Sequence, residues 1–551
     1  MTTYISIIVS VNMVKDSIGV IVGKTGTLEF KFLVSESTAV ERGEYIKIWH
    51  ETDGWVLAQV VSLISSSDNF SFEEAKNGKR PDRNEENIIG DVTVIGSRNK
   101  TGLLRAPTIP FSPGDKIYKA DNKLICSVLG LYGKDMYMGL LDGTGIPVNL
   151  SVNSLVQKHC SILAKTGSGK SYTASVLLEE QLDNKIPLLI IDPHSEYSSL
   201  KKEGSIDSES QKKYQISSKG YGSKIKVYTP ANKAINQDAD EVFRINGMNL
   251  SVRDIISIFP DNSTNTHVGI LYEAVQKVRA EMESYSLDDV IFEVANNESK
   301  ARWNVVNYLE EIRDTEILSP NPTSIEGLIE KGKASIIDFK GVPPNIQGML
   351  VSHLCTSLFE ARKLNKIPPM MLVIEEAHNF APERGFSKTP SSEILRTIAS
   401  EGRKFGLGLM VISQRPARID KNILSQCGTQ IIMKVTNPND LKSISKGLEG
   451  VTSYVEEELK RLPPGIAMLV SNEVERPILI DVRTRKTKHG GESVDVVETN
   501  KKYKSTTINK VEQSPSSSEE TVANPPPKRR PTRKSEKSNK GILKKFFGAN
   551  K

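Results

Sequence analysis

The sequence predicts an α/β protein in which a central parallel-sheet core follows a small β-barrel and precedes a disordered, basic C-terminal tail. Three observations support this prediction. A glycine-rich loop at 164–171 stands between an apolar stretch and a helix-compatible stretch. Short apolar runs alternate with helical patterns from about 140 to 485. Residues 486–551 are rich in Ser, Lys, Glu and Pro and poor in large apolar side chains.

The composition of the 551 residues is that of an ordinary globular protein with several domains. The four cysteines lie far apart and form no C-x-x-C pair, so the sequence indicates neither a zinc site nor a disulfide framework. No apolar run approaches the ~18 residues of a membrane helix. We therefore expect a cytoplasmic protein that does not enter a membrane.

The first 100 residues contain short β-rich runs punctuated by glycines, which predicts a small N-terminal β-barrel domain over 1–100. The runs cover residues 18–22, 28–34, 45–49 and 55–63. Segment 66–100 is polar, and it predicts a loop before the chain returns to a strand pattern.

The predicted core, residues 140–485, contains short apolar runs typical of strands that are buried on both faces. These runs cover residues 161–163, 187–191, 334–338, 370–374, 409–412 and 430–433. Between 250 and 318 the spacing becomes helical, as in Leu271, Val275 and Met282. This pattern predicts a helical insertion within the core. The stripe spans only two heptads, which favours packing on the core and leaves a coiled-coil interface as the alternative.

The loop at 164–171 has the composition of a phosphate cradle. Its residues are Ala164, Lys165, Thr166, Gly167, Ser168, Gly169, Lys170 and Ser171, with Ala164 where the common pattern has glycine. The glycines let backbone N–H groups converge on phosphate oxygens at a helix N-terminus, where the dipole favours negative charge. Lys170 is then the cation for the β- and γ-phosphates, and Ser171 is a Mg²⁺ ligand. The loop predicts that the chain binds ATP or GTP.

Carboxylates follow two of the predicted buried strands. Such residues face the ligand crevice at the carboxyl edge of an open α/β sheet. Glu375 and Asp192 are predicted to complete the Mg²⁺ shell, mainly through water, and Glu376 to polarise the water that attacks the γ-phosphate. Glu196 either assists Asp192 or belongs to a turn on the nucleoside side of the ligand.

A polar amide and a guanidinium accompany another buried strand. Gln414, at its end, can hydrogen-bond both the γ-phosphate and the attacking water. Arg403, just before the strand, is either a catalytic cation, acting in its own or a neighbouring subunit, or an ordinary surface arginine.

Together these motifs resemble the archaeal-like HerA branch of the HerA/FtsK family of DNA-pumping ATPases. The matching segments are A-K-T-G-S-G-K-S at 164–171, I-D-P-H-S-E-Y at 191–197, V-I-E-E-A-H-N-F at 373–380, S-E-G-R-K-F-G-L-G at 400–408, S-Q-R-P at 413–416 and H-G-G at 489–491. The resemblance implies a RecA-like P-loop NTPase core, a HAS-type barrel and a homo-hexameric ring with Mg·ATP sites between subunits. It also implies duplex DNA in a central channel and a partner nuclease of the NurA type in DNA end resection. Glu375 stands where many relatives have Asp, and Lys158 where an Arg is expected, so Lys158 is a second candidate for a cation that acts in trans.

These observations predict an ATP-driven DNA translocase or helicase. Basic residues Arg384, Lys388 and Arg418 are candidates for DNA contact on the ground of charge alone. One alternative is a DNA clamp that changes state when it binds nucleotide but does not hydrolyse it. Multiple-turnover ATP hydrolysis stimulated by DNA would exclude this alternative. Another is a DNA-packaging or conjugation pump, which normally needs a portal or a membrane anchor.

The positive charge of the chain is concentrated in its tail. The net charge is 73 − 67 = +6, yet residues 525–551 carry ten Lys or Arg against one acid, or +9, which leaves 63 − 66 = −3 for the rest. We expect residues 492–551 to be disordered and to act either as an electrostatic tether for phosphate backbones or as a solubility tail. Segment 541–547, G-I-L-K-K-F-F, is also a candidate docking peptide.

Overall fold

The structure is a computed structural model of the chain. It describes residues 17–35, 40–67, 72–78, 87–256, 259, 263–447 and 453–490. The predicted tail, residues 492–551, lies outside the described residues, as does Gly491 of the H-G-G motif.

The N-terminal sheet has seven strands, of which six close into a barrel and the seventh, β6, pairs with β5 at its side. Its strands are β1 (Gly19–Val22), β2 (Glu29–Val34), β3 (Tyr45–His50), β4 (Gly54–Ser66), β5 (Asn87–Arg98), β6 (Leu104–Arg105) and β7 (Lys116–Lys119), with a short helix α1 (Phe72–Lys76) between β4 and β5. The order is β2-β1-β7-β3-β4-β5-β6, and pairing of β2 with β5 closes the barrel. Strand β7 extends the barrel beyond the boundary of residue 100 that the sequence predicted.

Alternation of side chains builds the barrel interior. In β2, Phe30, Phe32 and Val34 are buried while the residues between them face outward. The Phe32 ring fills space that two glycines leave open, because a Cβ at Gly19 or Gly90 would collide with it. Phe30 also packs against Phe111, with ring centroids 5.3 Å apart.

The core is a twelve-stranded sheet, continued from the barrel through helix α2 (Asn122–Leu129). Its strands are β8 (Met136–Leu141), β9 (Pro147–Leu150), β10 (Cys160–Leu163), β11 (Leu188–Asp192), β12 (Ile225–Thr229), β13 (Glu241–Val242), β16 (Ala334–Asp338), β17 (Met370–Ile374), β18 (Leu407–Ser413), β19 (Thr429–Ile432), β20 (Ile466–Ser471) and β21 (Ile478–Val482). The spatial order is β13-β12-β16-β11-β17-β18-β10-β19-β20-β21-β8-β9, and a separate small sheet pairs β14 (Ile245–Asn246) with β15 (Leu318–Ser319).

The predicted parallel sheet is confirmed from β13 to β19, where every neighbouring pair runs parallel. From β19 onward the pairs are antiparallel, and the last four strands form one side edge of the sheet as two hairpins, β20–β21 and β8–β9. No pattern in the sequence predicted these four strands. Their first member in the chain, β8, begins at Met136, before the predicted start of the core at 140.

The remaining helices cover the sheet and form the insertion. They are α3 (Val152–Lys158), α4 (Lys170–Asp183), α5 (Ser208–Tyr214), α6 (Val252–Ile256), α7 (Asn265–Glu281), α8 (Leu287–Ala295), α9 (Arg302–Asp314), α10 (Ile325–Leu328), α11 (Pro344–Lys363), α12 (Ser392–Phe405), α13 (Lys421–Ser425), α14 (Pro438–Gly447) and α15 (Ser453–Arg461). Alternate residues of a single strand join different apolar clusters: Leu189 belongs to one and Ile190 to the other. The strands are therefore buried on both faces, which is why they read as continuous apolar runs.

The helical insertion packs on the core. Leu271, Val275 and Val278 of α7 are buried and belong to the same apolar cluster as Leu350 of α11. The prediction for Met282 was wrong, since α7 ends at Glu281 and the Met282 side chain is 44% exposed. Capping boxes at Thr264 and Ser286 begin two of the insertion helices.

Candidate functional site

The glycine-rich loop joins the carboxyl end of β10 to the first turn of α4. Gly167 and Gly169 have φ values of 77° and 97°, a region that strongly favours glycine. Gly169 precedes α4 and offers no side-chain cap, so the first N–H groups of the helix face outward. Backbone bonds from Ala164 N to Ser413 O, at 3.2 Å, and from Lys165 N to Lys434 O, at 2.8 Å, fix the base of the loop. The loop geometry suits an anion at the helix N-terminus.

Lys170 reaches across the crevice to both predicted glutamates. Its ammonium contacts Glu375 Oε1 and lies 2.6 Å from Glu376 Oε1. All three side chains are buried, with Glu375 fully enclosed. The phosphate loop and the end of β17 therefore meet at one edge of the sheet, as the strand-end argument predicted.

The two glutamates differ in their electrostatics. Burial alone would raise the pKa of Glu376, but His378 and Lys170 outweigh it and lower that pKa to about 2. Burial dominates at Glu375 and raises its pKa, despite the Lys170 ammonium and a hydrogen bond from the Tyr197 hydroxyl. Burial would lower the pKa of Lys170, yet the two carboxylates raise it. Glu376 is thus firmly ionised, as a residue that polarises water must be.

Backbone geometry also distinguishes Glu376. Its φ of 49° and ψ of 47° place it in the left-handed region, unusual for a non-glycine residue. This turn directly follows β17 and aims adjacent carboxylates into one crevice. The His378 ring stands behind Glu376, with Nδ1 3.2 Å from Glu376 Oε2 and 3.0 Å from Ser413 Oγ.

Asp192 ends β11 beside Glu375 and turns inward. Its carboxylate accepts N–H bonds from His194, at 3.2 Å, and from Tyr197, at 2.9 Å. Burial raises the pKa of Asp192 to about 7, although these backbone donors oppose the shift. Asp192 thus shapes the loop that presents Tyr197 to Glu375.

The predicted metal ligands, Ser171, Asp192 and Glu375, supply oxygen atoms of the kind that Mg²⁺ prefers. Among the described residues, no cluster of three or more His, Cys, Asp or Glu side chains could hold a metal ion alone. Mg²⁺ bound to nucleotide typically takes one or two protein oxygens and completes its shell with phosphates and water. The side chains present fit that mode.

Gln414 lies at the end of β18 beside the phosphate loop, where the Thr166 hydroxyl donates to its amide oxygen. Glu196 is half-buried, and its Oε2 atom is enclosed with no hydrogen-bond partner among the described residues. Its backbone oxygen accepts a bond from Ser199 Oγ at 3.0 Å. The structure thus brings Gln414 to the loop and places Glu196 on the turn after β11.

Sequence reasoning missed three residues of this crevice: Tyr197, His378 and Asp338. Tyr197 and His378 stand within the quoted motifs, yet only the fold shows that they contact Glu375 and Glu376. Asp338 ends β16 as Asp192 ends β11, so the strand-end argument could have found it. Ser195 Oγ donates to Asp338 Oδ2 at 2.6 Å.

Lys158 and Arg403 lie near the amino ends of the parallel strands, whereas the phosphate loop lies at their carboxyl ends. Each immediately precedes a strand whose far end borders that loop. They line a groove of about 1030 Å³, together with Lys404 and Asn472. A seven-residue strand such as β18 spans roughly 20 Å. The structure therefore does not bring either cation to the phosphate loop of its own chain.

His159 supports this end of the strands. It is buried, and its Nε2 lies 3.1 Å from Ala399 O on the helix that carries Arg403. Its Nδ1 accepts the Leu409 N–H at 2.9 Å. Burial lowers the pKa of His159 to about 4, so the ring is neutral with its hydrogen on Nε2.

Two families match the chain in the order of its domains. Residues 18–99 match the HAS barrel domain, and residues 136–358 match the central domain of helicase HerA. This chain is a relative of the HerA helicases. The DNA double-strand break repair helicase HerA of Sulfurisphaera tokodaii is 27% identical, over 88% of this chain and 97% of the relative.

Other HerA-type relatives align over most of the chain. A probable helicase of Methanocaldococcus jannaschii is 28% identical over 87% of this chain and 93% of its own length. HerA of Pyrococcus furiosus is 23% identical over 90% of this chain and 99% of its own length. Among solved structures, VirB4 of Thermoanaerobacter pseudethanolicus has a TM-score of 0.48 at 16% identity, over 66% of this chain and 98% of that chain.

The HerA-type core carries a complete phosphate loop with its lysine and both carboxylates in contact. The chain therefore has the core of a P-loop ATPase. In the part of the chain that the structure describes, no helix combines the length and apolar character that a membrane span needs.

Proposed function

We propose that this HerA-type chain is an ATP-driven DNA translocase or helicase that acts in DNA end resection. The observation that carries the proposal is the contact of Lys170 with both Glu375 and Glu376 beside an uncapped helix N-terminus. This arrangement joins a phosphate-binding cation to a carboxylate that is ionised near neutral pH. It supports catalysis of phosphoryl transfer to water, beyond nucleotide binding alone.

In this proposal each residue of the crevice has a role. Lys170 and the loop N–H groups bind the β- and γ-phosphates, while Ser171 and Glu375 hold Mg²⁺, with Asp192 acting through water. Mg²⁺, when bound with ATP, neutralises charge on the β- and γ-phosphate oxygens. Glu376 orients and polarises the attacking water. Gln414 hydrogen-bonds the γ-phosphate and thereby links it to the Thr166 hydroxyl.

The position of Lys158 and Arg403 favours a homo-hexameric ring. Both lie at the end of the strands opposite the phosphate loop, so either could supply transition-state charge only to a neighbouring subunit. A ring that places this groove against the next phosphate loop gives each site a cation in trans. The number of subunits comes from the resemblance to HerA.

The surface beside Gln414 suits DNA. A groove of about 590 Å³ is lined by Lys165, Gln414, Arg415, Arg418 and Phe386. Phe386 is 60% exposed, and the Arg418 guanidinium lies 5.6 Å from its ring centroid. Arg384 and Lys388 are exposed on the same loop as Phe386. Cations contact phosphates, and an aromatic ring can stack on a base.

A NurA-type nuclease is the protein partner that the HerA resemblance suggests.

The decisive experiment measures ATP hydrolysis with and without duplex DNA, together with the mass of the assembled particle. Multiple turnovers that DNA stimulates, in a particle of about six subunits, are the expected result. The matched variants are Lys170→Ala and Lys366→Ala, which remove a buried and an exposed lysine. Binding without turnover in the unaltered chain would instead indicate a nucleotide-switched clamp.

A further inference from the structure

The chain continues past β21 as a strap, residues 483–490, which runs along helix α4. It begins at Arg483, whose side chain is fully buried between Glu179, at 3.0 Å, and Glu180, at 2.8 Å. Thr487 then donates its N–H to Glu179 Oε1 at 2.9 Å. These bonds hold the strap to the helix that begins at the phosphate loop.

The far part of the strap reaches the first turn of α4. The Arg485 N–H donates to the Tyr172 hydroxyl at 2.9 Å. The ring of His489 contacts the ring of Tyr172, with centroids 5.7 Å apart and planes at 63°. Because Tyr172 directly follows Ser171, this pair of rings borders the phosphate loop.

Arg485 fixes the orientation of His489. The Arg485 side chain is buried, and its Nη2 donates to Thr487 Oγ1 at 2.8 Å and to Ser199 Oγ at 3.4 Å. Its Nη1 lies 3.3 Å from His489 Nδ1. A guanidinium only donates, so His489 Nδ1 accepts and the ring hydrogen resides on Nε2. His489 itself is exposed, so an imidazole oriented by Arg485 and Tyr172 is accessible to a ligand beside the phosphate loop.

Gly490 lets the strap approach this closely. A Cβ at that position would lie 2.5 Å from Glu196 O and 2.6 Å from Ser199 Oγ. Any other residue would push the strap away from the turn after β11. The sequence thus provides a glycine where His489 must lie against both α4 and that turn.

We propose that His489 is the stacking surface for the base of the bound nucleoside triphosphate. The inference rests on the proposed function. The loop N–H groups and Lys170 take the phosphates, and the last N–H groups of the cradle belong to Ser171 and Tyr172. The nucleoside must leave the cradle at that turn, where the strap presents His489. Every base has a π-face, so this contact accepts ATP and GTP alike.

The test compares binding of ATP and of inorganic tripolyphosphate, each with Mg²⁺, by equilibrium dialysis and by steady-state hydrolysis. His489→Ala should weaken ATP binding and raise KM for ATP by roughly tenfold, the scale of one stacked base. The kcat for ATP and the binding of tripolyphosphate should stay within about twofold of the unaltered chain. His489→Phe keeps a flat ring and should restore most of the loss. Lys488→Ala changes the exposed neighbour in the same strap and should leave every value unchanged.

Two outcomes would overturn the inference while leaving the proposed function intact. One is unchanged ATP binding in His489→Ala, and the other is equal weakening for ATP and tripolyphosphate, which would mean that His489 acts on the phosphate loop itself. If the unaltered chain binds neither ligand, the proposed function and this inference fail together.

Discussion

The Lys170 ammonium lies 2.6 Å from Glu376 Oε1 and shares its charge with Glu375. A triphosphate in the loop would compete with both carboxylates for the same cation. Binding of ATP would thus draw Lys170 toward phosphate and leave Glu376 to the attacking water. The residues that bind phosphate and those that activate water are therefore coupled through one side chain.

We expect Lys170→Ala to weaken ATP binding by roughly 10- to 150-fold, the range of a hydrogen bond to a charged group. The remaining backbone donors would still offer a weak anion site. Titration of the variant with ATP and Mg²⁺ measures the loss, with Lys366→Ala as the exposed control. Equal affinities in the two variants would contradict the assignment of Lys170.

Glu376→Gln should bind ATP nearly as well as the unaltered chain but lose about 100- to 10,000-fold in turnover, because an amide cannot polarise water as a carboxylate does. Single-turnover hydrolysis with pre-bound ATP separates these effects. Glu375→Gln is the informative comparison, since the two carboxylates contact the same lysine. Wild-type turnover in Glu376→Gln would transfer the water-activating role to Glu375.

If Arg403 acts across a subunit interface, Arg403→Ala should lower turnover by roughly 1,000-fold, the scale of an arginine finger. Mixing Arg403→Ala subunits with Glu376→Gln subunits should then restore part of the activity, because some interfaces would combine an intact Glu376 with an intact Arg403. The same mixture with Lys158→Ala tests the second candidate.

Subunit exchange must be shown independently in these mixtures, for example by mass measurement of a tagged subunit. Mixed particles without recovered activity would exclude trans action by Arg403. A chain that is active as a monomer would exclude it for both cations.

Acid should destabilise the fold through His159. Burial lowers the pKa of His159 from 6.5 to about 4 in the folded chain. Between these values the unfolded chain binds the extra proton, so the His159 contribution to stability is complete above pH 6.5 and is lost as pH falls toward 4. The full difference is on the order of 3 kcal/mol.

Urea unfolding at several pH values between 4 and 7 measures this dependence. His159→Gln removes the titrating group and should flatten the pH dependence over that interval, although it also costs stability by losing bonds to Ala399 and Leu409. An identical pH slope in the variant and the unaltered chain would contradict the buried, neutral state of His159.

The charge network beneath the strap should be important for stability. Arg483→Met would leave Glu179 buried without its cation, which typically costs about 3–5 kcal/mol. Arg461 forms an exposed ion pair with Glu457 at 3.7 Å, so Arg461→Met should cost less than about 1 kcal/mol. Urea denaturation of both variants provides the comparison, and similar losses would show that Arg483 contributes no more than a surface pair.

Local sequence signals predicted the strands that end at the crevice. In a parallel sheet, an acid that follows a buried apolar run lies at the carboxyl end of the strand, where it faces the crevice. The same signals could not show that Lys170 meets Glu375, 205 residues away, or that Tyr197 donates to it. The antiparallel edge was missed because its two hairpins carry no motif, and the pairing of β21 with β8 joins segments more than 300 residues apart. The position of Arg403 depends on the direction of β18, which only the assembled sheet defines.

The C-terminal tail concentrates a charge of +9 in residues 525–551. If these cations contact phosphates, deletion of residues 492–551 should weaken DNA binding and flatten its dependence on salt, since fewer counterions would be released. Each lost phosphate contact should reduce the slope of log K against log salt by about 0.9. Basal ATP hydrolysis and ring assembly should not change, because the phosphate loop and its partners lie within residues 160–490.

Titration of labelled duplex DNA at several salt concentrations compares the DNA affinity of the full chain with that of the truncated chain. A docking role for segment 541–547 would instead cost partner binding and leave DNA affinity intact. Unchanged affinity with an unchanged salt slope would exclude the electrostatic tether.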